Sequence, residues 1–487
     1  MPLSSRQGPA SGVPTPGRGK QRSYGTDWRL AGAVLAGRAA SALSRRVGRG
    51  GGTVIAGHVV PRLAPDALRR LSAALPDGVV LVSGTNGKTT TSRLLAQVLA
   101  ASGRRIVHNR AGANLLTGIV SALAQAADVR GRPRADVGLF EVDEATLPHA
   151  LPPTRPRVVV LTNIFRDQLD RYGEVHYVAA IWRRALAALP PGATLVLNAD
   201  DPLVASLGAV HAGPVLYYGV DLSALATPGL SHAADARLCP ACGAPLAYAR
   251  SYYGHLGDYR CSACAFARPM PAVVAVEPAQ LGPTASALQV NTPAGTLSLA
   301  LPLPGLYNVY NALAATAGSL ALGVAPATIA AGLARVSAAF GRLERIAVGD
   351  RAVSLALVKN PVGCTEVLRT LATDPAPKTL LVAINDLFAD GTDVSWLWDA
   401  DFELLGGHVV CAVCSGTRAA DMALRLKYAL IEPERLVVEP DVARALRVAL
   451  ARTPAGGTLH VLPTYTALLA LREALRRQGA VAGFWKD

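Results

Sequence analysis

Val79 to Gly103 reads VVLVSGTNGKTTTSRLLAQVLAASG: an apolar run, a Gly-Lys-Thr turn, then a pattern of helical period. No other stretch constrains the fold as strongly. A strand that ends in glycines and opens into a helix turns successive backbone N–H groups inward. The helix N-terminus adds positive potential, so such a turn suits phosphate oxygens. The candidate cradle is Gly84, Thr85, Asn86, Gly87, Lys88, Thr89 and Thr90. Its lysine reaches the outer phosphates and the Thr89 hydroxyl is placed to ligate Mg2+. The full Walker pattern has its first glycine where this chain has Val82, so the loop is a variant.

Two later segments supply acids. VGLFEVDE ends a strand with Glu141, Asp143 and Glu144, and VVVLTNIFRDQLDRYGE ends another with Asn163, Asp167, Asp170 and Glu174. Ligands in open parallel sheets gather at the carboxyl ends of strands, and carboxylates are hard oxygen ligands suited to Mg2+. Glu141 is the expected magnesium ligand. Asp143 and Glu174 are expected as surface carboxylates in solvated loops.

Around these motifs, strand-like segments (Val79–Val82, Val137–Val142, Val158–Thr162, Thr194–Leu197) alternate with helical ones, beginning with Thr89–Ala101. That alternation predicts an α/β fold, a parallel sheet covered by helices on both faces. Cys239 to Pro269 interrupts the rhythm as a small insertion. Ala-rich helices follow from Val309 to Ala338. A second alternating series then runs through Thr379, His408–Ser415, Leu436–Val438 and Leu459–Pro463. The expected organisation is a leader over 1–50, an ATPase-type domain over 51–344 with its insertion at about 236–270, and a second α/β domain over 345–487.

The net charge of +14 is unevenly spread: residues 1–50 hold nine Lys or Arg against Asp27, a net +8. The body is close to balanced, which argues against a nucleic-acid partner. The leader up to about Ser23 has the composition of a disordered segment. Asp27 to Val47, with Arg29, Arg38, Arg45 and Arg46, predicts a helix, and packing is its expected role ahead of resting on an anionic membrane surface. No apolar run reaches the ~18 residues of a membrane span, and no secretory signal is seen. With seven cysteines, four of them at metal-ligand spacing, a reducing cytoplasm is expected, with association at the inner membrane face as the variant.

Cys239-x2-Cys242 and Cys261-x2-Cys264 are separated by eighteen residues. Four thiolates make a closed tetrahedral shell, so a structural zinc ribbon is expected. Cys411 and Cys414 sit in an apolar strand without a second pair and are expected in the core. Cys364, in NPVGCTEV, lacks the flanking glycine pattern that thiol nucleophiles usually show and is expected as a small buried hydrophobe.

Taken together, GTNGKTT, TNIFRDQLDRYGE, VLNADDP, LYNVYNALAA and FGRLERI resemble the Mur ligases, in family order over roughly residues 78–346. That family joins an amine to a carboxylate with ATP during peptidoglycan synthesis. The cysteine-bearing insertion and NDLFADGTDVSWLWDADFE (Asn385–Glu403) are similar to the branch that forms the ligase subunit of lipid II isoglutaminyl synthase. Only the leader and a short helical stretch precede the phosphate loop, where ordinary members place a substrate domain. The resemblance implies that Lys88 and Thr89 bind ATP phosphates and magnesium, that Glu141 takes the second-strand carboxylate role, and that Asn311 and Arg342 lie near the adenosine. It implies that Asp393 of DGTDVSW completes the catalytic triad of a GatD-like glutaminase partner. A cap on the helix carrying Trp396 and Trp398 is the purely structural reading of Asp393. Gln168 stands where many Mur ligases have a metal-holding His.

The implied reaction phosphorylates the α-carboxyl of D-glutamate in the lipid II stem peptide and lets ammonia displace phosphate, giving D-isoglutamine. Two competing readings are a Mur-type or folylpolyglutamate-type ligase adding an amino acid, and a zinc-ribbon nucleic-acid-binding protein. Against the latter, residues 239–269 hold three arginines and no lysine.

Overall fold

The computed structural model describes residues 27–46, 54–109, 112–167, 175–227, 229–230, 234–336 and 342–481. The leader before Asp27, Gln168, Asp170, Glu174 and the side chains of Arg45, Arg46 and Arg342 lie outside the described residues.

The first sheet has nine strands. Seven are parallel, in the spatial order Ile106–His108, Val137–Glu141, Val79–Ser83, Val158–Leu161, Thr194–Asn198, Val215–Asp221, Val273–Leu281. An antiparallel pair, Ser286–Thr292 and Gly295–Leu301, completes the far edge. The sequence explains the difference. VVLVS, VGLFE and VVVL are apolar at nearly every position and buried throughout, as strands covered on both faces must be. GTLSLAL alternates, and so does its burial.

Neighbouring side chains of the Val79–Ser83 strand enter opposite layers. Val80 and Val82 pack with Leu94, Leu95 and Val98 of the helix Lys88–Ala101 and with Val309 and Leu313 of the helix Leu306–Ala321. Val79 and Leu81 join the other layer, with Ile119, Trp182 and Val60. The Leu306–Ala321 helix is apolar almost all round and buried over most of its length, which suits a helix at the centre of a layer. Helix Trp28–Arg46 packs Leu30, Ala33 and Val34 into the same core as Val60, and Arg38 Nη1 donates to the Ala127 carbonyl at 2.7 Å. It is thus a packing helix, although Trp28, Leu35 and Leu43 are exposed.

The second sheet runs Arg342–Val348, Arg351–Ala356, Thr458–Pro463, Lys378–Ala383, Val409–Ser415, Leu436–Val438. Only its first pair is antiparallel. Arg342–Val348 pairs with Arg351–Ala356, so this strand, which crosses the expected boundary, belongs to the second sheet. Cys364, Cys411 and Cys414 are buried in its core clusters. Burial pushes the Cys364 thiol far up and the Cys414 thiol up to about 12, so neither offers a thiolate.

Leu313 is fully buried against both the sheet and the phosphate-loop helix. Leu313→Ala is expected to cost about 2–5 kcal/mol through lost transfer energy and a residual cavity, read as a lower urea midpoint of the central domain's transition.

Candidate active site

The glycine loop adopts a conformation that side chains would block. Gly87, at φ +86°, precedes the helix Lys88–Ala101, and a Cβ there would lie 2.0 Å from Asn311 Oδ1. At Gly84, φ is +138° and a Cβ would meet Thr162 Oγ1 at 2.0 Å. The loop is stitched to the end of the neighbouring strand. Asn86 N donates to Asn163 Oδ1 at 2.8 Å, Thr162 Oγ1 donates to the Asn86 carbonyl at 2.7 Å, and Phe165 N donates to Thr85 Oγ1 at 3.0 Å. Thr90 and Thr91 are buried in the first helical turn, where Thr91 Oγ1 meets Asn311 Oδ1 at 3.3 Å.

Lys88 is only 8% exposed. Its Nζ donates to the Gly84 carbonyl at 2.5 Å, the Thr85 carbonyl at 3.3 Å and Glu144 Oε2 at 3.1 Å. Burial works against its charge, but the carboxylates of Glu144, Glu141, Asp143 and Asp167 outweigh burial and hold its pKa above the ordinary lysine value. Thr89 Oγ1 and Glu141 Oε1 are 3.0 Å apart. Asn109 clamps the Glu141 backbone, accepting its N–H at 2.9 Å and donating to its carbonyl at 2.8 Å. Lys88, Thr89 and Glu141 therefore lie close together at the foot of one helix, and the Thr89 and Glu141 oxygens form a pair suited to Mg2+.

Asp143, expected in a solvated loop, is buried. The chain folds back after its strand: Asp143 N donates to the Asn114 carbonyl at 3.0 Å and Asp143 Oδ1 accepts from Ala145 N at 3.1 Å. The same fold-back buries Glu144, whose carbonyl accepts from Trp182 Nε1 at 2.8 Å. Burial raises the Glu144 carboxyl above the ordinary range despite Lys88 and Lys359.

The second domain contributes residues that the sequence reading missed. Asn360 and Asn86 exchange side-chain hydrogen bonds at 3.0 and 3.3 Å, and Lys359 pairs with Asp167. Asn360 also caps the helix Pro361–Ala372, accepting from Gly363 N at 2.8 Å. Asn-Pro at a helix start is a legible N-cap signal, but nothing in it names a partner in another domain. The cleft between the domains is lined by Asn86, Asn311, Tyr253, Tyr307, Asn360 and Glu366, among others. Burial pushes the Glu366 carboxyl up to about 7 against the pull of Arg369, 2.8 Å away. Asn311 thus faces the cleft beside the phosphate loop.

The insertion is a two-stranded hairpin, Leu246–Tyr253 with Leu256–Cys261. The sulfurs of Cys239, Cys242, Cys261 and Cys264 lie within 4.8 Å of one another. The Cys239–Cys264 and Cys242–Cys261 separations are 3.7 and 3.4 Å, far beyond the ~2.05 Å of a disulfide. Ala241 N and Ala263 N donate to Cys239 Sγ and Cys261 Sγ at 3.4 and 3.3 Å, turns that stabilise thiolate. The set fits a closed tetrahedral metal shell.

Asp393 lies outside the cleft, exposed on the second domain. Its Oδ1 accepts from Ser395 N at 2.8 Å, and this bond, with the Arg166 charge, holds its carboxyl below the usual range. The following turn, Ser395–Trp398, is anchored by buried Arg425, which donates to the Leu397 and Ala400 carbonyls at 2.9 and 2.7 Å. On the same domain Phe388 (82%), Trp398 and Tyr428 are exposed, the last two rings in contact at 5.6 Å.

Since a methyl group at Gly87 must displace the Asn311 amide in a left-handed backbone, Gly87→Ala is expected to weaken nucleotide binding at least tenfold with the central domain still folded. Titration calorimetry with Mg-nucleotide checks the first clause and circular dichroism the second.

Comparison with known proteins matches this geometry. Residues 82–235 match the Mur ligase middle domain and residues 357–468 the MurT ligase C-terminal domain. The chain is 32% identical over 443 residues to the MurT subunit of the glutamine-hydrolysing lipid II isoglutaminyl synthase of Streptococcus pneumoniae, covering 91% of this chain and 96% of that one. It is 34% identical to the Staphylococcus aureus MurT subunit, covering 89% and 95%. Among solved structures, the MurF ligase of Thermotoga maritima in complex with ADP superimposes with a TM-score of 0.62 at 13% identity, covering 87% of this chain and 84% of that one, a likeness of fold. Matched over about nine-tenths of its length at 32–34% identity, with the middle and C-terminal domain models in order, the chain belongs to the MurT family of Mur ligases.

Proposed function

We propose that this chain is the ATP-dependent ligase subunit that amidates the α-carboxyl of D-glutamate in lipid II, taking ammonia from a separate glutaminase. The observation that carries the reading is the close approach of Lys88, Thr89 and Glu141 at the phosphate loop of a MurT-family chain. A carboxylate resists ammonia because oxide is a poor leaving group. A substrate carboxylate oxygen bonds to the γ-phosphorus of ATP, ADP leaves, and an acyl phosphate results. Ammonia nitrogen then bonds to the carbonyl carbon, the carbon–oxygen bond to phosphate breaks, and the proton shed by the nitrogen leaves with the phosphate. Gly84 to Thr90 would cradle the phosphates, with Lys88 exchanging Glu144 and two loop carbonyls for phosphate oxygens. Charge placement of this kind carries most of phosphoryl-transfer catalysis. Thr89 and Glu141 would hold Mg2+, which supplies charge neutralisation at the phosphates. Asn311 would meet the adenosine, and Arg342 is assigned there by family likeness. Four thiolates of the hairpin would hold a structural zinc.

The ammonia source lies elsewhere. Among the described residues every cysteine is either in the metal-type cluster or buried in a core. The relatives are named as subunits of a glutamine-hydrolysing enzyme. A GatD-like glutaminase would dock on the second domain, its histidine oriented by Asp393; the cap bond to Ser395 uses one oxygen of that carboxylate. Exposed Phe388, Trp398 and Tyr428 are the aromatic anchors such an interface favours.

No helix among the described residues is long and apolar enough to cross a membrane. Trp28, Leu35 and Leu43 on the outer face of the first helix, within residues 1–50 of net +8, suit attachment to an anionic inner membrane face, where lipid II is presented. A nucleic-acid role fits poorly, since Arg250 and Arg268 of the ribbon are already paired with Asp221 and Asp200.

Purified alone, the chain should amidate lipid II from ammonium and not from glutamine; efficient glutamine use by the isolated chain would defeat the two-subunit reading. In the complex, Asp393→Asn should lower glutamine-dependent amidation by at least a hundredfold and leave ammonium-dependent amidation and ATP affinity unchanged. Parallel assays with labelled glutamine and ammonium separate these.

A further inference from the structure

The helix Trp28–Arg46 is apolar on two sides. Leu30, Ala33 and Val34 enter the core with Val60, which accounts for one of them. On the other, Trp28, Leu35, Ala39, Ala42 and Leu43 are all exposed, at the spacing of a single helix face. Trp28 is 78% exposed and Leu43 64%. Between Trp28 and Ser44 the charged residues are Arg29 and Arg38 alone. The stripe runs about 22 Å along the helix, and a contiguous apolar surface of that length marks an interaction site.

A turn after the helix Leu116–Ala126 lies against the same helix. Gly131, at φ +73°, packs so closely that a Cβ there would lie 3.3 Å from Ala31 N and 3.4 Å from Leu30 Cγ. Asp128 closes the turn, its Oδ1 accepting from Arg130 N at 2.9 Å and Arg132 N at 3.0 Å. Val129, Arg130, Arg132 and Arg134 are left exposed. Between helix and turn runs a groove of about 540 Å³, with Leu35, Ala39 and Ala42 on one wall and Gln125 and Val129 on the other. Arg38 and Ser41 line it too. Ser41 is 1% exposed, yet its Oγ has no partner among the described residues. A buried hydroxyl of this kind is costly until a ligand atom bonds it.

Charge indicates what covers the stripe. Across 28–44 and 128–134 five arginines stand against one acid, Asp128. Residues 1–26, which lead into the helix, add four basic residues and no acid. A second copy of this chain would set arginines against arginines, whereas an anionic lipid surface answers both the apolar stripe and its basic border.

We propose that the outer face of Trp28–Arg46 and the turn 128–134 form one docking face that lies in the headgroup layer of an anionic bilayer, with a lipid phosphate seated in the groove at Ser41 and Arg38. The proposal rests on the membrane attachment read above and deepens it, adding a second element and a seat. Because the inner side of the helix is held in the protein core, the helix lies along the bilayer. One helix of eleven residues, Leu116–Ala126, about 16 Å long, joins this face to the phosphate loop. Arg38 bonds the Ala127 carbonyl just past its end. Asn114, just before its start, accepts from Asp143 N, whose carboxylate is among those around Lys88. A lipid-linked substrate thus meets an enzyme already on its own surface.

Vesicle flotation of the full chain tests the face. Vesicles of phosphatidylglycerol and phosphatidylcholine in equal parts should be bound at least tenfold more tightly than phosphatidylcholine alone, and added salt should erode the preference. Leu35→Glu with Leu43→Glu, and separately Arg130→Ser with Arg134→Ser, should each lower binding to the mixed vesicles at least tenfold with Mg-ATP affinity unchanged, which reports a folded central domain. Ser41→Ala should cost about two- to tenfold. Brominated acyl chains should quench Trp28 emission, a signal missing from Trp28→Phe. Equal binding to the two vesicle types, or binding of either double variant within twofold of wild type, overturns the docking face. So does a chain that dimerises without lipid and turns monomeric in Leu35→Glu with Leu43→Glu, since a second copy then covers the stripe. Unchanged binding by Ser41→Ala removes the phosphate from the groove. Amidation of lipid II in detergent by a chain with no vesicle preference overturns the docking face alone, whereas docking without amidation supports the face and removes the proposed reaction.

Discussion

Lys88 is an ammonium ion buried at the foot of a helix, and the arrangement around it exists to keep that charge. Removing an ammonium from water costs several kcal/mol unless partners repay it. Here Glu144, Glu141, Asp143 and Asp167 repay it, and sheet order is what brings most of them close. The strand that leads into the loop lies between the two strands whose ends bear the acids, with Val82 in register with Glu141 and Ser83 with Leu161. A different strand order would leave the lysine without them. Because the carboxylates of Glu144, Glu141, Asp143 and Asp167 outnumber Lys88 and Lys359 among the described residues there, a polyphosphate enters far more readily as its magnesium complex than free.

The parallel centre of the first sheet was legible because it is written in composition: strands covered on both faces leave no room for alternation, and VVLVS and VVVL show none. The loop was legible because its glycines have no substitute, as the 2.0 Å approaches at Gly84 and Gly87 explain. Asp143 was misplaced because a carboxylate after a strand reads as solvated, and only the fold-back onto Asn114 buries it. Asn360 meets Asn86 across 274 residues of chain, and no local pattern carries a contact of that range. The cysteine spacing foretold a metal-type cluster but not the direction of the hairpin, which depends on Gly254 fitting between Phe165 and Val362.

The domains meet through polar pairs, Asn86 with Asn360, Lys359 with Asp167 and Arg166 with Asp399, and through Val362, which packs into the core cluster of the central domain. Asn360 and Asp167 are buried, whereas Arg166 with Asp399 is exposed on both sides, and a pair of that kind contributes about 0–1 kcal/mol.

These pairs also share a loop. Asn163 holds the phosphate turn, Asp167 pairs with Lys359, and Arg166 reaches Asp399 at 2.7 Å, at the end of the turn that follows Asp393. Arg166 N is itself fixed by Asp235 Oδ2 at 2.8 Å, just before the four-cysteine hairpin. Arg166 therefore links the loop that holds the phosphate turn to the turn after Asp393 by a charged contact that lies outside the hydrophobic core clusters. A charged contact of this sort ties the phosphate loop to an exposed surface of the second domain while each sheet keeps its own apolar core.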